Sequence, residues 1–155
     1  MTTAKKIQKR CAWLNDNPLM IEYHDKEWGV PVHDDKKLFE FLILEGAQAG
    51  LTWQTVLNKR GNYRKALSCF DPAKIALYGN KDVKRLLGNP GIIRNRLKIA
   101  ATILNAKKFL EIQKEFGSFD TYIWQLVNFK PIKNKFKSLS EIPPTTKESD
   151  AMSKD

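Results

Sequence analysis

Two segments of the chain concentrate the residues whose types and spacing could do chemistry. Residues 11–31 and 44–53 together hold three of the four tryptophans, a tyrosine, a cysteine, a histidine and several carboxylates. Electron-rich rings beside a carboxylate suit a flat, electron-poor ligand, because the rings stack on it and the carboxylate accepts its N–H groups. The two segments therefore predict a pocket for a ligand such as a nucleobase.

Glu45 is the carboxylate in the most informative position. Asp34 is typical of a helix cap, and beyond it Leu38, Phe41 and Leu42 fall on one apolar face, on which residue 45 is the next position. A carboxylate on an apolar face must be hydrogen-bonded, paired or raised in pKa. This favours a pocket group that accepts hydrogen bonds from a ligand. Alternatively, the helix ends or turns first and leaves Glu45 at the surface.

The aromatic residues of the two segments have two interpretations. Trp13, Tyr23, Trp28 and Trp53 could stack on a base, a contact worth roughly 1–3 kcal/mol per base in nucleic-acid complexes. They could equally fill a core, as aromatic side chains usually do. We expect Trp28 to lie in the core, whereas for Tyr23 and Trp53 both interpretations stay open.

Leu51 is a candidate contact to DNA. It lies between Gly50 and Thr52, where one helix is expected to end and Thr52 to cap the next. An exposed leucine on a basic protein can wedge between base steps. The alternative is that Leu51 anchors the loop in the core.

Cys11 and His24 are candidate ligands of a zinc ion. Structural zinc takes four protein ligands, and only His33 and Cys69 could complete the set in this chain. The spacing of these four residues matches no familiar zinc pattern. The alternative is a buried cysteine and a hydrogen-bonded histidine. Cys69 on its own is expected to be a small buried apolar residue.

Composition narrows the class of protein. A length of 155 residues favours one domain, residues 10–155, after a basic N-terminal extension at residues 1–9. The net charge of +10 favours a polyanionic partner, nucleic acid first. No run of about 18 apolar residues predicts a membrane span. Two cysteines are too few for a disulfide framework, which favours a reducing cytoplasm.

The apolar periodicity is helical almost throughout, which predicts an all-α fold. Thr52, Asp71 before Pro72, and Ser118 are expected to start helices, and Asn62 is expected to cap a separate one. Residues 94–115 should form the longest helix. After residue 130 the chain turns polar, and a further helix is expected to begin near residues 146–149.

Several strings of the sequence carry a family resemblance. Residues 10–13, 23–31, 44–53, 91–96 and 139–143 match in type and occur in the family's order. On these strings the chain resembles the 3-methyladenine DNA glycosylase I family, of the helix-hairpin-helix glycosylase superfamily. The resemblance implies an all-helical, cytoplasmic, monomeric enzyme of DNA base-excision repair. It would flip 3-methyladenine out of double-stranded DNA, hydrolyse its N-glycosidic bond and release the free base.

The same resemblance implies roles for individual residues. Glu45 occupies the position of the pocket glutamate that reads the base and is the expected catalytic residue. Tyr23 and Trp53 match the aromatic positions that hold the ring, with Trp13 nearby. Leu51 matches the residue that fills the gap left in the DNA.

Two departures from the family pattern are expected to matter. Met20 stands where an aromatic residue, usually tyrosine, is expected. Cys11 and His24 match two of the family's four zinc ligands, while the other two belong with the DNA-gripping hairpin in a portion expected beyond residue 155. The domain is thus expected to be incomplete at its C-terminus, with structural zinc weak or lost.

Two alternatives to an active glycosylase stay open. One is a truncated, catalytically impaired fragment that keeps a purine pocket without turnover. The other is a generic basic module that binds nucleic acid, which explains the charge but not the position of Glu45.

Overall fold

The computed structural model describes residues 10–154, so the expected extension at residues 1–9 lies outside the described residues. Every regular element in the described part is helical, which confirms the all-α prediction. The α-helices are α1 Pro18–Lys26, α2 Asp35–Gln48, α3 Trp53–Ala66, α4 Pro72–Ile75, α5 Asn80–Leu87, α6 Arg96–Phe116, α7 Phe119–Gln125 and α8 Lys147–Lys154, with 3₁₀ turns at Ser68–Phe70 and Leu139–Glu141. None of the helices described here is long and apolar enough to cross a membrane. The hairpin expected beyond residue 155 stays a prediction.

Side-chain caps set most helix starts where the sequence predicts them. Asp34 accepts the backbone N–H of Lys37 at 2.8 Å at the start of α2, and Thr52 caps α3 in the same way. The expected cap at Asn62 is wrong, because Asn62 lies inside α3. Its side-chain amide donates to the carbonyl of Gly91 at 3.3 Å instead, so a contact distant in sequence replaces the local cap.

The core forms around α2, which packs against α3, α6 and α7. The buried face of α2 holds Phe39, Ile43, Leu44 and Ala47, and the Phe39 ring meets Phe109 of α6 edge-on at 4.9 Å. The apolar face predicted from the sequence, with Leu38, Phe41 and Leu42, differs from this buried face by about one residue along the helix. Every position from 38 to 44 except residue 40 is apolar, so periodicity could not select the buried stripe.

Glu40 is the one charged side chain that is buried among residues 10–154, with 3% of its surface exposed. It accepts hydrogen bonds from Arg60 at 2.7 Å and from Arg64 at 2.8 Å. Arg60 also donates to both carboxylate oxygens of Glu27, at 2.7 and 2.9 Å, and these bonds lower the pKa of Glu27 to about 2. This charge network of Glu27, Glu40, Arg60 and Arg64 joins the end of α1 to α2 and α3.

The prediction that Cys69 is buried is wrong. Ser68, Cys69 and Phe70 all have positive φ angles, between 49° and 57°. This left-handed turn sends the Phe70 ring into the core and leaves the Cys69 thiol exposed.

Candidate functional site

A cavity of about 280 Å³ opens among α1, α2 and the start of α3, and it collects residues from both sequence segments. Its wall consists of four rings and three other side chains: Trp13, Tyr23, Trp28, Trp53, Met20, Glu45 and Gln48. The predicted pocket glutamate and the three predicted base-binding aromatics therefore lie together. Because the lining is mostly aromatic, the cavity suits a flat ligand.

The rings of this cavity are inclined to each other rather than arranged in one stack. Tyr23 and Trp53 have centroids 5.2 Å apart at 53°, and Trp13 meets Trp28 at 5.3 Å and 72°. The expectation that Trp28 fills the core is wrong, since 48% of it is exposed. The chain leaves α1 through a turn with Gly29 at φ +73°, which places the Trp28 ring at the cavity instead.

Glu45 lies on the side of α2 opposite to its most buried residues. The helix continues to Gln48, so Glu45 is exposed without the helix having ended. Although the residue is exposed, its surroundings remove part of the carboxylate's hydration, and this desolvation raises its pKa. Burial raises the pKa of the Tyr23 hydroxyl, and the charge of Glu45 raises it further. Desolvation is the one cause of the raised pKa of Glu45, and no hydrogen bond or ion pair holds the Glu45 carboxylate within the described residues.

Trp53 contributes a polar group that the protein itself does not satisfy. Its indole Nε1 is the one buried side-chain nitrogen or oxygen without a hydrogen-bond partner in the described part of the chain. A buried donor without an acceptor costs about 1–3 kcal/mol, so such atoms are rare and call for an explanation. The ring of Trp53 lines the cavity, but its Nε1 has almost no accessible surface, so the cavity presents to a ligand the carboxylate of Glu45 and not this N–H. A flat ligand with N–H donors would complement it.

Leu51 is exposed, as the wedge interpretation requires, with 40% of its surface accessible. It follows Gly50, whose φ of +76° favours glycine, and its N–H donates to the Gln48 carbonyl at 2.6 Å. The alternative of a buried loop anchor is therefore wrong. The turn that carries Leu51 starts one residue after Gln48, a member of the cavity wall.

Cys11 and His24 lie together, because the Cys11 N–H donates to Nε2 of His24 at 3.4 Å. The other ring nitrogen, Nδ1, bonds the Asp25 carboxylate at 2.9 Å, and Arg10 in turn binds Asp25 and lowers its pKa to about 2. Both nitrogens of His24 are therefore engaged within the protein.

The other two candidate ligands do not join this pair. His33 bonds Asp120 at 2.8 Å and stacks on Trp124 at 4.4 Å, and Cys69 lies on its own turn. In residues 10–154 no three histidine, cysteine, aspartate or glutamate side chains are placed to hold a metal ion. Two donors do not fit a structural zinc site, which needs four.

Several site features were not predicted from the sequence. Helix α1, which carries Tyr23 and His24, has a start signal in Asn17 followed by Pro18, a capping residue and a proline at the first helical position. Gln48 lies three residues after Glu45, a spacing that places both on one side of a helix. These two signals were available in the sequence.

Comparison with known proteins gives consistent similarities. The sequence profile of the family described as methyladenine glycosylase matches residues 13–155. The chain is 50% identical to DNA-3-methyladenine glycosylase 1 of Escherichia coli K12 over 146 residues, which are 94% of this chain and 78% of that protein. A crystal structure of 3-methyladenine DNA glycosylase I superposes with a TM-score of 0.90 at 49% identity, covering 94% of this chain and 80% of the other. A variant of such an enzyme in complex with 3-methyladenine gives 0.89 at 34% identity, with 94% and 78% covered.

Proposed function

The chain belongs to the methyladenine glycosylase family, and from this we propose that the cavity beside Glu45 takes up the alkylated adenine. Its activity is that of a DNA-3-methyladenine glycosylase in base-excision repair, which hydrolyses the N-glycosidic bond of the damaged nucleotide. The observation that carries the proposed site is the partly desolvated carboxylate of Glu45 in a cavity that is lined by four aromatic rings.

The chemistry of the substrate explains why these groups suffice. Alkylation at N3 gives adenine a positive charge, so the bond from N9 to C1′ of the sugar is already weak. When that bond breaks, its electron pair stays on the base and neutralises it, and the hydroxyl of water adds to C1′ while a proton is released. The protein therefore needs no strong general acid. It needs to extract the base, which costs a few kcal/mol and less for a damaged one.

Each proposed residue has a physical task in that reaction. Glu45 accepts hydrogen bonds from the N–H groups of the base and stabilises its positive charge. The Tyr23, Trp53 and Trp13 rings attract the cation through their faces, which favours alkylated over normal adenine.

The DNA partner follows from the activity and from the surface. We propose that a monomer acts on double-stranded DNA in the cytoplasm and that the net charge of +10 attracts the phosphates. Leu51, exposed on the turn beside the cavity, would occupy the space that the extracted base leaves in the stack.

Base release tests the proposed function directly. Incubation with alkylated double-stranded DNA should release free 3-methyladenine, and free 3-methyladenine should quench the tryptophan fluorescence far more than adenine does. Lys135→Ala changes an exposed residue away from the cavity and should leave both signals unchanged. Quenching without release would mean a purine pocket without turnover, while neither signal in folded protein would contradict the proposal.

We also propose that this chain binds zinc weakly, through Cys11 and His24 at most, because two ligands cannot hold the ion as four do. Metal analysis of the purified, dialysed chain should give well below one zinc per molecule. A chelator should leave the melting temperature unchanged, and Cys11→Ser should leave the metal content unchanged. About one tightly held zinc per chain, lost in Cys11→Ser, would contradict this.

A further inference from the structure

Lys98 reaches from the first turn of α6 to the last turn of α2. Its Nζ donates to the carbonyl of Ala47 at 2.8 Å and to the carbonyl of Ala49 at 2.7 Å. The lysine is half-buried in the cleft between these two helices. These two short hydrogen bonds fix the position of the ammonium group at the point where α2 ends.

The end of α2 needs such a partner. The last carbonyls of a helix have no partner within it, and a positive charge there is favourable. Helix α2 carries no basic residue in its own last turn, so Lys98 supplies the charge from another helix. The chain then leaves α2 sharply, with ψ of 118° at Ala49 and φ of +76° at Gly50.

The carbonyls of Ala47 and Ala49 lie on either side of Gln48, which connects the cavity to the turn at Gly50 and Leu51. Gln48, between them, lines the cavity, and its own carbonyl accepts the Leu51 N–H. Glu45 is held separately, because α2 is anchored in the core by residues such as Ile43 and Leu44. Loss of the Lys98 contacts should therefore loosen the turn while leaving the body of α2 in place.

We propose that Lys98 is a positioning residue for base extraction, because it fixes the Gly50–Leu51 turn so that Leu51 is presented to DNA in register with the cavity. The inference rests on the proposed function. Two of the three ammonium N–H groups of Lys98 bind the carbonyls of Ala47 and Ala49, so the proposed action goes through the protein. A direct phosphate contact through the third N–H is the alternative that the salt dependence of base release tests.

Hydrogen exchange tests the hold on the turn without any need for activity. Lys98→Met keeps the length of the side chain and removes the donor, so the Leu51 amide should exchange faster by about tenfold or more, as the loss of a charge-assisted hydrogen bond allows. Lys98→Arg should restore most of the protection, and amides of residues 39–45 should not change. Lys107→Met, at an exposed position of the same helix, is the matched control. Unchanged exchange at Leu51 overturns the inference.

Kinetics then connect the turn to base extraction. Lys98→Met should slow release of 3-methyladenine from duplex DNA by about 10- to 100-fold, as misplaced contacts do, while free 3-methyladenine binds as before. Combined with Leu51→Ala, its effect should not add, because both changes remove the same wedge.

Two kinetic results would overturn the inference. Additive effects would show that Lys98 does not act through Leu51, and a salt dependence reduced by about one phosphate contact would show that it binds DNA directly. If the wild-type chain released no base, the proposed function would fail, while the exchange of the Leu51 amide would still decide whether Lys98 holds the turn.

Discussion

Glu45→Gln is expected to reduce the release of 3-methyladenine by about 10²-fold or more, the usual cost of losing a preorganised electrostatic group. Glutamine has the same shape and can still accept one hydrogen bond, but it cannot stabilise a cationic base. Free 3-methyladenine and adenine are both neutral, so the substitution should weaken the binding of either purine far less than it slows base release. Base release from alkylated DNA and fluorescence titration with both purines would measure the two effects.

Glu45→Gln should not destabilise the fold. The direction of its effect on the free energy of unfolding follows from the raised pKa of Glu45. Desolvation raises the pKa of Glu45 in the folded protein, so folding favours the protonated form. The stability that this gives is present at low pH and is lost as the pH rises through the unfolded value of about 4.3 and then the higher folded one. Glu45→Gln should therefore be at least as stable as wild type at pH 7, and the difference should shrink below about pH 4.

The pH profile of activity provides a second check on Glu45. Release should fall as the pH drops through the raised pKa, because the protonated carboxyl no longer attracts the cation. Glu115→Gln, on an exposed part of α6, is the matched control and should behave as wild type. Activity of Glu45→Gln within a few-fold of wild type would remove the carboxylate from the mechanism.

Glu40→Ala is expected to cost about 3–5 kcal/mol of unfolding free energy, as breaking one side of a buried ion pair does. The substitution leaves Arg60, which lies largely inside the protein, with Glu27 alone, and it removes the carboxylate partner of Arg64. It also leaves a cavity in place of the side chain. Urea unfolding at neutral pH would measure the loss as a lower midpoint with an unchanged slope.

Two further variants show whether the stability lost in Glu40→Ala comes from the buried charge: one at an exposed ion pair and one that keeps the shape of Glu40. Glu22→Ala breaks an exposed pair with Lys26 on α1 and should change stability by less than about 1 kcal/mol. Glu40→Gln keeps the shape and some of the hydrogen bonds, so its loss should fall between the other two. A Glu40→Ala protein as stable as Glu22→Ala would contradict the structural role given to the network.

Local hydrogen bonds explain what could be predicted from the sequence. Caps such as Asp34 and Thr52 depend on residues three positions away, so the starts of α2 and α3 were recognisable. The burial of Glu40 depends on Arg60 and Arg64, at least 20 positions along the chain, and no local pattern contains that information. Sequence periodicity therefore singled out Glu45 as the carboxylate on the apolar face, whereas the structure buries Glu40.

For the candidate site, too, the sequence predicted one part and not another. The aromatic and acidic types of the two segments predicted a ring-lined pocket, and the structure places them in one cavity. Their exposure was not predictable, because it depends on how α1 and the turn after it lie against α3. Trp28 is expected in the core from the sequence because aromatic side chains usually fill one, and only the fold places it at the cavity.

Helix α1 buries a single residue, Met20, yet it carries Tyr23 of the cavity wall. An element with so little buried surface opens by local unfolding more easily than α2, which buries five. The C-terminal end of α1 is held to α3 by the hydrogen bonds from Arg60 to Glu27. Opening of α1 would dismantle one side of the cavity while the core stays folded. The occupied cavity would then be a small cooperative unit whose ordering is part of the free energy of binding the base.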